Sequence, residues 1–276
     1  MKKIFGFMLF FVLLFVLPVQ LSAAKILYYV DTAAIGEDSV VKALKELSSI
    51  HKYVIANTKD EFESEIAQDS YDLVILSIQD KKRTTLDFPS FVDYVGKNGK
   101  VIFSDANRDG SFASLLGFAY TSRVNQTSID ITDDDLKKGV TENPFSLYNP
   151  GYITWSMGLV PAKRTMAVFS NGDAAVIMTS KNITINGYLV DTLSQPSPSA
   201  LGFTMNLAPA ASGSNASTLV KNTISYTLNP PSLVPPVTVA LAISMRAKVA
   251  MALLFAFFGV MAIGRNRKVQ AGRRRL

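Results

Sequence analysis

Eight polar residues occupy places where an open parallel sheet would present them to a ligand: Asp31 and Thr32, then Ser77 and Gln79, then Ser104, Asp105, Asn107 and Arg108. Each group follows a short apolar run. Open α/β sheets bind ligands outside the carboxyl ends of their strands, where the strand order reverses. Carboxylates, hydroxyls, amides and a guanidinium gathered there would recognise a ligand by hydrogen bonds and charge. The same residue types are ordinary helix caps and turn formers, and at this level that alternative stays open. Ser104 beside Asp105 also has the makings of a hydrolase pair, but a serine nucleophile needs a base within hydrogen-bond reach. The single histidine, His51, follows the first predicted helix and belongs to the opposite edge of the sheet. The helix dipole favours a histidine at that position.

Other chemistry is excluded by composition. The chain has no cysteine, which removes disulfides, thiolate nucleophiles and cysteine-ligated zinc or iron–sulfur sites. One histidine leaves no histidine-rich metal site, so neither cofactor nor metal is expected. Asp133-Asp134-Asp135 lacks the alternating spacing and glycine of a calcium loop and reads as a solvated helix start. Tyr148, Tyr152 and Trp155 read as core aromatics.

The elements that must hold these residues begin with Lys25–Asp31, a β-rich run followed by Val40, Val41, Leu44 and Leu47 at helical spacing. The pattern repeats. Tyr53–Ala56 is a strand, Glu61–Ala67 a helix opened by Asp60, and Asp72–Ser77 a continuous apolar strand. Phe88–Val95 is a helix stopped by Asn98-Gly99, Lys100–Asp105 a fourth strand, and Ser111–Leu116 a helix ended by Gly117. Continuous apolar strands alternating with helices predict an α/β fold, a mostly parallel sheet covered by helices on both faces. Beyond Gly117, strands are expected at Thr165–Phe169, Ala174–Thr179, Ile183–Leu189 and Ala200–Thr204, the first two as a hairpin through Asn171-Gly172-Asp173. Thr218–Leu228 is expected to close the domain as a helix.

The two ends have a different character. Lys2-Lys3, an apolar run Ile4–Leu17, Pro18 and then Ser22-Ala23-Ala24 have the three parts of a secretory signal, with a cut expected after Ala24. Val249–Ile263 is apolar all round and is followed by Arg265, Arg267, Lys268 and Arg273-Arg274-Arg275. It reads as a single span with a cytoplasmic C-terminus and an exported body. Ten of the 28 basic residues lie in these ends, which leaves 18 against 22 acidic residues in the body, a net −4. A mildly acidic body is the wrong charge for nucleic acid. The segments expected are therefore 1–24 as signal peptide, 25–228 as the α/β domain, 229–248 as a proline-rich linker and flank, 249–264 as the span, and 265–276 as a basic tail.

These residues carry two resemblances. Val234-Pro235-Pro236, the apolar run and Arg265-Asn266-Arg267-Lys268 resemble the C-terminal sorting tails read by exosortase-type or rhombosortase-type enzymes, although the usual Pro-Glu-Pro or Ile-Pro-Thr-Leu motif is not present. A sorting or processing protease is the partner this implies. The strand Asp72–Ser77, the helix-to-strand text Phe91–Ile102, the turn after Ser104 and Leu136–Val140 resemble the class I glutamine amidotransferase-like fold, a flavodoxin-like architecture. In that family a cysteine occupies the turn after the fourth strand. Here the turn carries Ala106, so the resemblance implies the fold and denies the chemistry. It implies a pseudoenzyme: a membrane-tethered binding or assembly module of a bacterial envelope, facing the periplasm or cell surface, that takes a partner protein or small ligand. The alternatives are an envelope hydrolase using Ser104 and Asp105, and a passive surface protein released by tail processing.

Overall fold

Apolar side chains on both faces of a strand have to be covered from both sides, and that requirement shapes the first half of the molecule. The computed structural model describes residues 23–32, 38–124, 126–147, 156–160, 163–188 and 213–230, all within one compact unit that ends at Pro230. The expected signal up to residue 22, the linker after Pro230, the span and the tail lie outside the described residues, as do Ala200–Thr204, Tyr148, Tyr152 and Trp155. No helix among the described residues is long and apolar enough to cross a membrane.

Strand β1 (Lys25–Val30) sends Ile26 and Tyr28 into one core and Leu27 and Tyr29 into the other. β2 (Lys52–Ala56), β3 (Leu73–Ile78) and β4 (Val101–Asp105) run parallel to it in the order β2-β1-β3-β4. Between them lie helices α1 (Ser39–Glu46), α2 (Lys59–Gln68) and α3 (Pro89–Gly96), with α4 (Gly110–Leu116) after β4. α1 lays Val40, Ala43 and Leu44 on one face of the sheet. α2, α3 and α4 cover the other with Phe62, Phe91 and Phe112. The expected α2 cap moves: Thr58, not Asp60, accepts the Glu61 amide, and the Glu61 carboxylate accepts from the amide of Asn57, the residue before the cap, at 2.7 Å.

The second half is built differently. β5 (Ala119–Val124), β6 (Ser128–Ile131), β7 (Phe145–Ser146), β8 (Ser156–Val160), β9 (Arg164–Phe169) and β10 (Ala174–Met178) pair antiparallel, with the short helix α5 (Asp134–Lys137) between β6 and β7. The parallel expectation holds for the first four strands, but the 170–173 link between β9 and β10 is too short for a crossover helix, which takes a dozen residues or more. The β9–β10 hairpin forms as expected, with Gly172 at φ 89° donating to the Phe169 carbonyl at 2.9 Å, a conformation that suits glycine.

β11 (Thr184–Asn186) joins the two halves, antiparallel to β10 and parallel to β4. The resulting sheet is mixed, in the order β2-β1-β3-β4-β11-β10-β9-β6-β7, with β8 pairing β10 and β5. Its first five strands have the flavodoxin-like order, whose reversal point lies between β1 and β3. β11 is shorter than the expected Ile183–Leu189 because Gly187 passes into close backbone contact. The Met157 amide donates to the Gly187 carbonyl at 2.6 Å and the Gly187 amide to the Ala175 carbonyl at 2.7 Å. A Cβ there would lie 2.2 Å from the Met157 carbonyl oxygen, so only glycine fits.

Helix α6 (Gly213–Leu228) lies over α1's face of the sheet, with Leu219 and Ile224 buried in the same core. Asp133 is not the solvated helix start expected. It is buried, caps α5 through the Asp135 and Leu136 amides, and lies 2.6 Å from the Arg164 guanidinium. Arg164 also donates to the Tyr226 hydroxyl on α6 at 2.8 Å.

Candidate functional site

Side chains alternate along a strand, so the carboxyl edge of the parallel strands presents two separate faces. On the face covered by α2, α3 and α4, the charged candidates are taken up by backbone. Asp31 follows β1, and its carboxylate accepts from the Gln79 amide at 2.7 Å, the Asp80 amide at 3.3 Å and the Lys81 amide at 2.7 Å. It thereby closes the reversal point between β1 and β3. Gln79 returns a bond from its side-chain amide to the Thr32 carbonyl at 3.0 Å. Asp105 ends β4 and accepts from the Asn107 amide at 2.8 Å and the Asp109 amide at 2.7 Å. Burial pushes its carboxyl above the usual range, against the pull of those two bonds. Asn107 ties the loop after β4 to the loop after β3 through the Lys81 carbonyl, 2.8 Å away. Arg108 is exposed in a left-handed conformation, φ 57°.

The other face holds none of the charged candidates. Ser77 and Ser104 are direct register partners on β3 and β4, both buried, and the Ser104 hydroxyl donates to that of Ser77 at 3.1 Å. Ile185 pairs with Phe103, so Asn186 comes next in the same row. Ser77, Ser104 and Asn186 line one small cavity, walled by Ile75 and Ile102 from the sheet, Val40 from α1, Val220 and Thr223 from α6, and Tyr188. It offers ≈ 20 Å³ to the centres of water molecules, room for about one. Burial alone raises the Tyr188 phenol above its ordinary value.

Hydrogen-bond accounting marks this edge. Nearly all buried polar groups in native proteins find partners, so each exception needs an explanation. Among the described residues four buried side-chain atoms lack a hydrogen bond: Thr32 Oγ1, Arg83 Nε, Asn186 Oδ1 and Asp133 Oδ2. The last is not solitary, because Arg164 stands 2.6 Å away as an ion pair. The other three follow or end β1, β3 and β11, all at the carboxyl edge of the parallel strands.

Seven of the eight expected residues thus divide into three groups. Asp31, Thr32 and Gln79 come together as a loop clamp, with Asp105 and Asn107 forming a second clamp beside it. Ser77 and Ser104 come together on the cavity, while Arg108 joins neither group. Ser104 and Asp105 point to opposite faces of β4, and no base approaches Ser104 among the described residues. His51 is at the amino edge, as expected, but not as a dipole-favoured cation. Its Nδ1 accepts from the Ala24 amide at 3.2 Å, and burial lowers its pKa. Asn186, Tyr188 and Thr223 were not legible as site residues. Asn186 stood inside an expected strand, but nothing local says that this strand lies beside β4.

No family model matches the chain, and no curated protein does. Among solved structures it is similar to a glutamine amidotransferase from Thermotoga maritima, at 7% identity and a TM-score of 0.43 over 75% of this chain and 99% of that one. It is similar also to the N-terminal domain of mmIFT52, at 12% identity and a TM-score of 0.42 over 76% and 99%. A third is the exo-β-1,4-mannosidase Op5Man5 from Opitutaceae bacterium strain TAV5, at 13% identity and a TM-score of 0.39, where 61% of this chain spans 31% of that one. Scores of this size carry no functional argument, so function has to be read from the strand order and the geometry of the edge.

Proposed function

We propose that this chain is a non-catalytic binding module of the amidotransferase-like architecture, exported and tethered to the membrane of a bacterial envelope, which holds a small ligand or partner group at the carboxyl edge of its parallel strands. The single observation that carries binding is the gathering of Thr32 Oγ1, Arg83 Nε and Asn186 Oδ1, buried and without hydrogen-bond partners, at that one edge. Unpaired buried polar atoms lower stability, typically by about 1–3 kcal/mol each, and a ligand that supplies the missing partner recovers that loss.

The non-catalytic part rests on what surrounds Ser104 and Asp105. Among the described residues Ser104 bonds only to a second serine hydroxyl, and Asp105 accepts from two backbone amides and, at 3.4 Å, from the Tyr120 hydroxyl, whose pKa burial raises. The export and tether rest on the Lys2-Lys3 leader pattern and the basic-flanked run Val249–Ile263. The test is fractionation of the full chain from a Gram-negative host, followed by in-membrane crosslinking and ligand-induced thermal shift. A chain found soluble in the cytoplasm removes the tether. A chain in the membrane that neither crosslinks to a partner nor shifts with any ligand removes the binding role.

A further inference from the structure

We infer that the cavity under Ser77, Ser104 and Asn186 accepts an uncharged group bearing a hydrogen-bond donor, such as a saccharide or polyol hydroxyl, and rejects anions. This rests on the binding reading above and specifies its ligand. The lining contains no ionisable group except the Tyr188 phenol, and burial keeps that phenol neutral. Asn186 Oδ1 is an acceptor with no donor. A hydroxyl supplies one; a carboxylate or phosphate brings only further acceptors.

The end of α1 argues the same way. In open α/β folds the helix N-terminus beside the strand ends is a ready anion site, because its amides point at the ligand. Here the Val40 and Val41 amides are already held by Asp38 Oδ1 at 2.8 and 3.0 Å, and the Tyr28 hydroxyl donates to Asp38 Oδ2 at 2.9 Å. Val40 itself lines the cavity. An incoming anion would therefore meet a carboxylate where an uncapped helix start would offer bare amides. The basic residues of this edge do not reverse that. Arg83 acts on the Tyr29 phenol, on the opposite face of the sheet, and Lys81, Lys82 and Arg108 are exposed on the loops after β3 and β4. The cavity has room for about one water, so a ligand enters by a single hydroxyl and keeps the rest of its body outside.

The test uses the full chain in detergent micelles, titrated with glucose and glycerol in one series and with inorganic phosphate, acetate and adenosine monophosphate in another. Thermal shift is the readout, because a ligand that binds only the folded state raises the melting point by mass action. The expected result is a saturable shift with the neutral probes that falls at least tenfold in apparent affinity in Asn186→Leu and in Ser104→Val. Non-specific stabilisation by polyols is common to wild type and variants and cancels in the difference. A saturable shift with the anions that both variants abolish overturns the ligand class and leaves the binding module standing. Saturable binding of neutral probes that neither variant alters also overturns the assignment of this cavity. No saturable binding by any probe overturns the inference and, for small ligands, the reading beneath it.

A second observation, independent of the first, concerns processing. Ala24 is only 8% exposed. Its carbonyl accepts from the Lys52 amide at 2.9 Å, its amide donates to His51 Nδ1, and Ala23 is exposed. If the leader is removed as its sequence indicates, the geometry points to hydrolysis of the Ala23–Ala24 bond, one residue before the cut that spacing alone suggested. Water adds across that peptide, leaving a carboxylate on Ala23 and an α-ammonium on Ala24 that donates to His51 in place of the amide. A cut after Ala24 would remove a residue the fold uses at both ends. N-terminal sequencing of protein recovered from host membranes is expected to begin Ala24-Lys25-Ile26. A start at Lys25 overturns this assignment alone, and a start at Met1 overturns the leader itself.

Discussion

The two faces of one sheet edge differ in what they have done with their polar groups. Towards α2, α3 and α4, Asp31 and Asp105 hold backbone amides of the neighbouring loops, and Tyr29, Phe62, Phe88, Phe91, Phe103 and Phe112 make a chain of ring contacts with centroids 5.0 to 6.3 Å apart. Towards α1 and α6, the walls are aliphatic, a cavity remains, and Asn186 faces it with an unpaired oxygen. One face is closed by its own side chains; the other is left incomplete. Charge at a strand end is therefore a poor guide to a binding residue when the loops beyond it need their amides held. The unpaired polar atom that faces a cavity is a neutral one, the Asn186 amide oxygen.

Substitutions on the two faces should then respond differently, and the largest response belongs to the packed one. Phe112 is fully buried between Phe88, Phe91 and Phe103. Phe112→Ala is expected to lower unfolding stability by about 3–5 kcal/mol, read as a shift of the urea midpoint. A loss below ~1 kcal/mol would mean this face is not closed.

Asp105→Ala leaves the Asn107 and Asp109 amides without an acceptor, and about 1–3 kcal/mol should be lost by the same measurement. If the variant unfolds like wild type but loses ligand, Asp105 belongs with the binding face and the comparison fails.

The opposite edge of the sheet supplies a control through pH. Burial lowers the folded-state pKa of His51 from 6.5, so the unfolded chain binds that proton more readily. Its contribution to stability is full above pH 6.5 and is lost as the pH falls through the folded value. Melting points between pH 7.5 and 5 should decline, and His51→Gln should flatten the decline over that interval. An unchanged slope would show that His51 is not held neutral.

The smallest stability change is expected at the incomplete face, where its sign is the informative part. Asn186→Leu replaces an unpaired amide by an apolar side chain, and stability should stay level or rise by up to about 1 kcal/mol while ligand affinity drops. A loss above ~2 kcal/mol would show that Asn186 is structural.

Much of the fold was legible. Asp72–Ser77 and Lys100–Asp105 read as strands because buried parallel strands need no polar face, and Ser111–Leu116 read as a helix because Gly117 stops it. β5, β6 and β8 were not legible. Segments such as Tyr120-Thr121-Ser122 lack a sustained apolar alternation, and their pairing is decided by partners far along the chain. The carboxyl edge was legible as a place, since the apolar runs mark where the parallel strands end. Which of its polar groups the backbone takes up was not, because Asp31 and Asn107 look alike on paper until their partners are known.

By itself, then, the amino-acid order determined the parallel half of the sheet and, having no cysteine, removed thiol chemistry from this chain. Only the tertiary structure decided that β11 would lie beside β4 and set Asn186 next to Ser104, and that Asp38 would fill the end of α1. Those two placements depend on contacts between residues about 80 and 10 positions apart, where side-chain direction and strand register, rather than residue type, determine what a polar atom meets.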